Sequence, residues 1–127
     1  MFLTLDRWSN MSSMEELLRQ LYADFNARNI DAVLGHLHPD VDWPNGWEGG
    51  RVNGHAEVRD YWTRQFAAID STVEPTRITE AEDGRIAVEV HQTVRDLEGK
   101  VLSDGLVNHV YTLRDGLVAR MDIVARS

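Results

Sequence analysis

Three apolar stripes at helical spacing occupy the first half of the chain. The first follows two overlapping serine–glutamate capping signals within residues 12–16. The second is short and ends near His38-Pro39, and the third runs from Val58 to Ile69. Such stripes predict three amphipathic helices that each bury one face. The first stripe consists of Leu17, Leu18, Leu21, Tyr22 and Phe25.

Extended segments dominate the rest of the chain. Residues 41–43 predict a brief strand that Pro44 stops, and alternation after Ser71 predicts four longer strands. Glycine-containing turns separate the longer strands, which cover residues 72–82, 85–95, 100–113 and 117–125. The order α-α-β-α-β-β-β-β is typical of an α+β domain with antiparallel hairpins. We expect one domain over residues 13–127 and a disordered or loosely packed leader over residues 1–12.

Charge and composition narrow the classes of function. The 127 residues carry a formal net charge of -8 with no basic run, which argues against nucleic acid and against acidic membrane surfaces. No apolar stretch approaches the roughly 18 residues that a membrane span needs, and no signal peptide is evident, so a cytoplasmic location is expected. The lack of cysteine excludes disulfides, thiolate metal sites and cysteine nucleophiles.

Several short motifs resemble those of one superfamily. They are Tyr22-Ala23-Asp24-Phe25-Asn26-Ala27, His38-Pro39-Asp40-Val41-Asp42-Trp43-Pro44, residues 54–62 and residues 113–118. In this order they resemble the nuclear transport factor 2-like superfamily, with SnoaL-like cyclases, delta-isomerases and scytalone dehydratases as the nearest branches. The resemblance implies a cone-shaped, strongly curved, mostly antiparallel sheet around three helices, with one apolar pocket. It also implies a homodimer that packs through the outer sheet face.

The catalytic residues of these branches fall on this chain only in part. The delta-isomerase base falls on Trp43, and an indole cannot abstract a proton. Scytalone dehydratase-like members fit better, since their strand histidine falls on His91 and their asparagine on Asn108. The helix carboxylate of those members falls near Asn26, which is neutral.

The resemblance therefore implies catalysis by His91 as general base or acid, with Asn108 binding a developing oxyanion. Alternation alone supports a different placement, with Ile86, Val88 and Val90 buried and His91 on the outer face. Asn108 has an alternative role as a buried structural amide. His109 is expected on the outer face or at an interface.

Aromatic and apolar residues from several elements are expected to form the pocket wall. Trp47, in a glycine-rich loop, predicts a lid or a dimer contact. We expect no metal site, because the alternate histidines His36 and His38 point in different directions, and we expect no cofactor. The expected substrate-binding residues are Trp43, Trp62, Tyr22, Phe25, Asn26, Met121, Ile123 and Trp47.

Three functions are consistent with the sequence. The first is a cofactor-free isomerase, cyclase or dehydratase that acts on a small apolar carbonyl or cyclic substrate by general acid/base chemistry. The second is a non-catalytic protein that binds a hydrophobic ligand, and the third is a protein-association module that uses its outer sheet face.

Overall fold

Three helices and six strands follow one another in the expected order, with one additional strand. The computed structural model describes the backbone of residues 2–124 and the side chains of residues 12–124. The helices are α1 (Phe2–Asn26), α2 (Ile30–Leu34) and α3 (Gly54–Ala68). The strands are β1 (Leu37–Pro44), β2 (Arg51–Asn53), β3 (Asp70–Glu80), β4 (Ile86–Arg95), β5 (Val101–Arg114) and β6 (Leu117–Val124).

The strands form one open sheet in the order β2-β1-β6-β5-β4-β3. Every neighbouring pair is antiparallel except β1 and β6, which run parallel. Asp115 and Gly116 join β5 to β6 with φ values of 56° and 76°, the left-handed conformations that a tight hairpin turn requires. The predicted α+β fold with a curved, mostly antiparallel sheet around three helices is confirmed.

The hydrophobic core lies between the helices and the inner face of the sheet. Leu18, Leu21 and Tyr22 of α1 and Val58, Tyr61 and Trp62 of α3 are buried there. They pack with alternate residues of the central strands, because successive side chains of a strand point to opposite faces. The buried apolar residues of those strands are Ile86, Val88, Val90, Tyr111, Val118 and Met121.

Element boundaries differ from the sequence-based expectation at the N-terminal end. The backbone of α1 begins at Phe2, ahead of the capping signals at residues 12–16. The predicted leader, residues 1–12, consists mainly of residues whose side chains are not among the described ones. Its disorder or loose packing therefore stays a prediction. Helix α2 ends at Leu34 and β1 begins at Leu37, which lengthens the brief strand expected at residues 41–43.

Residues 51–53 form a strand where a loop was expected, since β2 pairs with β1 through Asp42, Trp43 and Pro44. No helix in the described part of the chain is long and apolar enough to cross a membrane.

Candidate active site

A cavity of about 380 Å³ opens between the helices and the inner sheet face. Its walls come from α1, α3, β1 with the segment that follows it, and strands β3 to β6. Trp47 and Ile123, both partly exposed, belong to the lining, and the backbone of Gly46 lies against Ile123. The lining residues are Leu21, Tyr22, Phe25, Trp43, Pro44, Gly46, Trp47, Tyr61, Trp62, Gln65, Ile69, Ser71, Val73, Gln92, Val94, Ser103, His109, Tyr111, Met121 and Ile123.

Aromatic rings in edge-to-face contact form much of this wall. Trp62 packs edge-on against Trp43 at 5.4 Å and against Phe25 at 5.8 Å between ring centroids. These contacts hold the rings in fixed orientations and leave apolar surface facing the cavity. The structure thus places most of the expected substrate-binding residues at the cavity, namely Trp43, Trp62, Tyr22, Phe25, Met121, Ile123 and Trp47. Their contact with a substrate stays a prediction.

Asn26 does not line the cavity. Its side-chain amide pairs with the backbone of Val73 on β3, donating from Nδ2 to the carbonyl oxygen at 2.7 Å. Its Oδ1 accepts from the Val73 amide at 2.9 Å. The side chain therefore makes the two hydrogen bonds that a neighbouring strand would make at this edge of the sheet. The expected role of Asn26 in substrate binding is corrected to a structural one.

His91 lies on the outer face of the sheet, so its expected placement in the cavity is wrong. Its neighbours Val88 and Val90 are fully buried, and alternation turns His91 to the other side. The imidazole side chain is 44% exposed and its Nε2 lies 2.6 Å from Asp104 Oδ1. Thr93 donates to the same carboxylate oxygen, and these hydrogen bonds, Thr93 first, lower the pKa of Asp104.

Asn108 shares this outer face, and its expected position beside a substrate is also wrong. It pairs with Glu89 of β4 and Val124 of β6, whereas the inward position next to it belongs to His109. The resemblance placed His91 and Asn108 on one face, and they do share a face, but the burial of Val88 and Val90 makes it the outer one.

The buried histidine is His109. Only 6% of its surface is exposed, and it pairs with Val88 of β4 and Ile123 of β6. Its Nδ1 lies 2.9 Å from the hydroxyl oxygen of Tyr22 on α1. Tyr111, two residues further along β5, donates its hydroxyl proton to the same Tyr22 oxygen at 2.7 Å. A helix and a strand thus join three buried polar side chains into one chain of hydrogen bonds.

The direction of this chain fixes the tautomer of the imidazole. Tyr111 is fully buried, and its hydroxyl is hydrogen-bonded to Tyr22 among the described residues. Because Tyr111 donates to Tyr22, the Tyr22 hydroxyl proton points to His109 Nδ1, which accepts it. The imidazole proton is therefore on Nε2. That nitrogen has no hydrogen-bond partner among the described residues, and the imidazole belongs to the cavity lining.

Burial also sets the protonation of this group. It lowers the pKa of His109 from 6.5 to about 4, so that the imidazole is neutral near pH 7. Desolvation raises the pKa of Tyr22, and burial raises that of Tyr111 as well. The site consequently presents a neutral N–H donor backed by two neutral hydroxyl groups.

The expectation that His109 lies on the outer face or at an interface is therefore wrong. The signal that favours the buried position is the spacing of His109 and Tyr111, because residues two apart on a strand share a face. The alternation of apolar residues along β4 indicates the same inner face of the sheet. Tyr61 and Gln65 were likewise not singled out, although both continue the buried stripe of α3.

The segment that carries Trp47 is tied to α3. Asn45 Oδ1 accepts from the backbone amides of Trp47 and Glu48, and Arg64 of α3 binds Glu48 at 2.8 Å. The hydroxyl of Tyr61 also interacts with the backbone of Gly46 and Trp47, which partly offsets the rise that burial causes in its pKa. These contacts hold the indole of Trp47 at the cavity in this structure.

A family model described as the SnoaL-like domain matches residues 18–121. The chain belongs to the SnoaL-like family. The match covers every lining residue of the cavity except Ile123. No curated protein matches the sequence.

Solved structures of other proteins share the SnoaL-like fold over nearly their whole length. TerC, crystallised with polyporic acid, is 28% identical, with coverage of 90% of this chain and 92% of that chain and a TM-score of 0.77. A candidate polyketide cyclase from Xanthomonas campestris pv. campestris is 20% identical, with coverage of 92% and 93% and a TM-score of 0.78. SalBIII is an epoxide hydrolase/cyclase-like enzyme with a role in pyran ring formation in the polyether salinomycin. It is 18% identical, with coverage of 91% of this chain and 92% of that chain and a TM-score of 0.74. The last two show the fold alone.

Proposed function

We propose that this SnoaL-like protein is a cofactor-free enzyme that isomerises, cyclises or dehydrates an apolar carbonyl or cyclic substrate. In this proposal His109 Nε2–H holds the carbonyl oxygen, and the aromatic wall holds the body of the substrate. The observation that carries it is a buried neutral imidazole at an aromatic cavity, with its proton fixed on Nε2 by Tyr22 and Tyr111.

Such a donor lowers the barrier for removing a proton next to the carbonyl. When the C–H bond breaks, its electron pair forms a C=C bond and the carbonyl oxygen gains negative charge. A hydrogen bond from His109 strengthens as this charge grows, and it does so more beside apolar walls than in bulk water. A neutral imidazole is known to fill this electrophilic role in triosephosphate isomerase.

His109 is assigned as a hydrogen-bond donor and not as the group that gives up its proton. If Nε2 released the proton, the Tyr22 and Tyr111 protons would shift in turn and leave a buried Tyr111 phenolate. Burial opposes that phenolate, since it raises the pKa of Tyr111. No carboxylate lines the cavity in the described chain, so the proton from carbon passes to water or to a basic group of the substrate itself.

The comparisons support the cavity as the place where an organic ligand binds. TerC, whose structure contains polyporic acid, is 28% identical to this chain. The candidate cyclase and SalBIII share the fold.

A second candidate function is ligand binding without turnover. The observation that favours it is the lack of a carboxylate among the cavity residues of the described chain, because carboxylates are frequent general bases. The two candidates differ in one property, the chemical fate of the bound molecule.

Exchange of carbon-bound protons distinguishes the two candidates. Benzyl phenyl ketone carries two aromatic rings and an acidic methylene group next to a carbonyl, and its exchange in heavy water is followed by proton NMR. We expect the wild-type protein to accelerate exchange over buffer. Loss of one oxyanion donor costs roughly 100-fold or more in other enzymes, so His109→Phe is expected to abolish most of the acceleration.

His91→Ala is the matched control, because His91 lies on the outer face and its replacement should leave the exchange rate unchanged. Saturable binding of the ketone without accelerated exchange would favour the second candidate. Acceleration that survives His109→Phe would contradict the assignment of the donor.

A further inference from the structure

The loop between β1 and β2 forms part of the rim of the cavity. This β1–β2 loop, residues 45–50, contributes Gly46 and Trp47 to the cavity lining. Trp47 is nevertheless 40% exposed, and Ile123, which lies against Gly46, is 46% exposed. Side chains that line a cavity and also face solvent lie where the cavity meets the surface. The β1–β2 loop and the end of β6 therefore meet at the mouth of the cavity.

The β1–β2 loop is held together by its own hydrogen bonds. The side chain of Asn45 accepts from the backbone amides of Trp47 at 3.2 Å and Glu48 at 2.7 Å. The backbone N–H of Asn45 donates to Gly50, and its carbonyl oxygen accepts from Gly49, both at 2.9 Å. Asparagine commonly stabilises a turn in this way. The loop can therefore change its position as a unit and keep these hydrogen bonds.

The loop is attached to α3 through side chains. Among the described residues, no backbone–backbone hydrogen bond joins the loop to α3. The Tyr61 hydroxyl interacts with the backbone of Gly46 and Trp47, and Arg64 donates to the Glu48 carboxylate at 2.8 Å and 3.2 Å. The side chains of Arg64 and Glu48 are 48% and 39% exposed. Exposed ion pairs are weak, so this attachment breaks at little cost.

The end of the loop next to β2 has room to move. Gly49 and Gly50 have φ values of 92° and 79°, which glycine adopts readily. No atom lies within 4 Å of the place where a side chain would begin at either residue. The strand that follows, β2, has only three residues and lies at the edge of the sheet. Segments with so few contacts open locally more easily than the core.

We infer that the β1–β2 loop is a gate of the cavity, in which Trp47 moves and the Arg64–Glu48 ion pair is the latch. With the ion pair formed, the indole of Trp47 closes part of the mouth. When the ion pair breaks, the loop moves about Gly49 and Gly50 and the mouth widens. Gates of this kind set the rates at which molecules enter and leave. The inference applies equally to an enzyme and to a binding protein.

Binding kinetics of a neutral apolar dye test the latch. N-phenyl-1-naphthylamine becomes more fluorescent in apolar surroundings, so stopped-flow fluorescence gives its association and dissociation rate constants. Arg64→Gln removes the ion pair, and Arg64 does not line the cavity, so a lost contact with the dye does not explain an effect. We expect both rate constants to rise about two- to five-fold, the range that an exposed ion pair supplies, with Kd almost unchanged.

Arg59→Gln is the matched control. Arg59 lies on the same helix and forms an exposed ion pair with Asp31 of α2, away from the β1–β2 loop. This variant should leave both rate constants unchanged. Salt provides a second control, because about 1 M sodium chloride shortens the screening length to about 3 Å. It should increase both rate constants of the wild type and have a smaller effect on Arg64→Gln.

Trp47→Ala tests the moving side chain. A lost wall contact raises mainly the dissociation rate, whereas removal of a gate also raises the association rate, because a required conformational change slows association. We therefore expect Trp47→Ala to increase both rate constants, and by more than Arg64→Gln does.

The outcomes decide the inference without reference to His109, whose role is tested by proton exchange. Parallel increases of both rate constants in Arg64→Gln and Trp47→Ala, absent from Arg59→Gln, support the gate. Three results overturn it: rates that Arg64→Gln leaves unchanged, an increase in dissociation alone in Trp47→Ala, or a wild-type protein that takes up no dye.

Discussion

Tyr22 of α1 and His109 of β5 meet in the interior through a 2.9 Å hydrogen bond between the Tyr22 hydroxyl and His109 Nδ1. The two residues are 87 positions apart in the sequence, and the contact ties the first helix to the middle of the sheet. It also decides which imidazole nitrogen carries the proton. The same bond thus contributes to the fold and sets the chemistry that the cavity can offer.

Removal of single hydroxyl groups tests the central position of Tyr22 in this hydrogen-bond chain. Tyr22→Phe leaves the Tyr111 hydroxyl without an acceptor and His109 Nδ1 without a donor, so we expect it to lower the free energy of unfolding by roughly 2–4 kcal/mol. Tyr111→Phe removes only one donor to Tyr22, which still donates to His109, so a loss of about 1 kcal/mol is expected. Urea denaturation near pH 7 measures both.

Equal losses for the two variants, or a larger loss for Tyr111→Phe, would contradict Tyr22 as the residue that links Tyr111 to His109. In addition, Tyr22→Phe should allow either ring nitrogen of His109 to carry the proton, whereas Tyr111→Phe should leave the proton on Nε2.

The depressed pKa of His109 predicts that stability falls in acid. Burial lowers this pKa from 6.5 to about 4, while Tyr22 and Tyr111 stay neutral throughout this range. The unfolded chain therefore binds more protons than the folded chain between these values, and stability is lost as the pH falls from about 6.5 to about 4. A pKa difference of this size corresponds to about 3 kcal/mol in the free energy of unfolding, at 1.36 kcal/mol for each pKa unit.

The measurement is the free energy of unfolding as a function of pH for the wild type and for His109→Phe. The wild type should lose more stability in this window, by an amount that approaches the figure above. Parallel pH profiles for the two proteins would show that His109 titrates normally in the folded state. The difference between profiles removes the contribution of exposed groups, which titrate in both proteins.

Sequence patterns were sufficient for the fold but only partly for the site. The stripes of α1 and α3 and the Asp115-Gly116 turn predicted elements that the structure contains, because helical spacing and turn residues act locally. The same stripes also predicted aromatic residues of the cavity wall. The site residues were misplaced because the family resemblance put His91 and Asn108 on the inner face, whereas the alternation of β4 and the spacing of His109 and Tyr111 indicate that His109 faces inward.

The outer sheet face gives a prediction about assembly. We propose that two copies pair through this face, as the family resemblance implies. Leu106 lies there opposite His91 and is 40% exposed, and Val124, opposite Asn108, is 47% exposed. Apolar residues on an exposed sheet face favour burial against a partner. We expect the wild type to be a dimer by light scattering after size-exclusion chromatography, and Leu106→Asp to shift it to the monomer.

Leu97→Asp is the matched control, because this exposed leucine lies outside the sheet, between β4 and β5. It introduces the same charge and should leave the dimer intact. A monomeric wild type, or a dimer that is insensitive to Leu106→Asp, would contradict assembly through this face.

The central claim is that His109 is a neutral imidazole with its proton on Nε2, available to a ligand carbonyl. Nitrogen NMR of the ring measures this directly, since the two nitrogens of a neutral imidazole differ in chemical shift according to which one is protonated. Near pH 7 we predict a protonated Nε2 and an unprotonated Nδ1, with titration only near pH 4. A protonated Nδ1 or an imidazolium at neutral pH would contradict the claim.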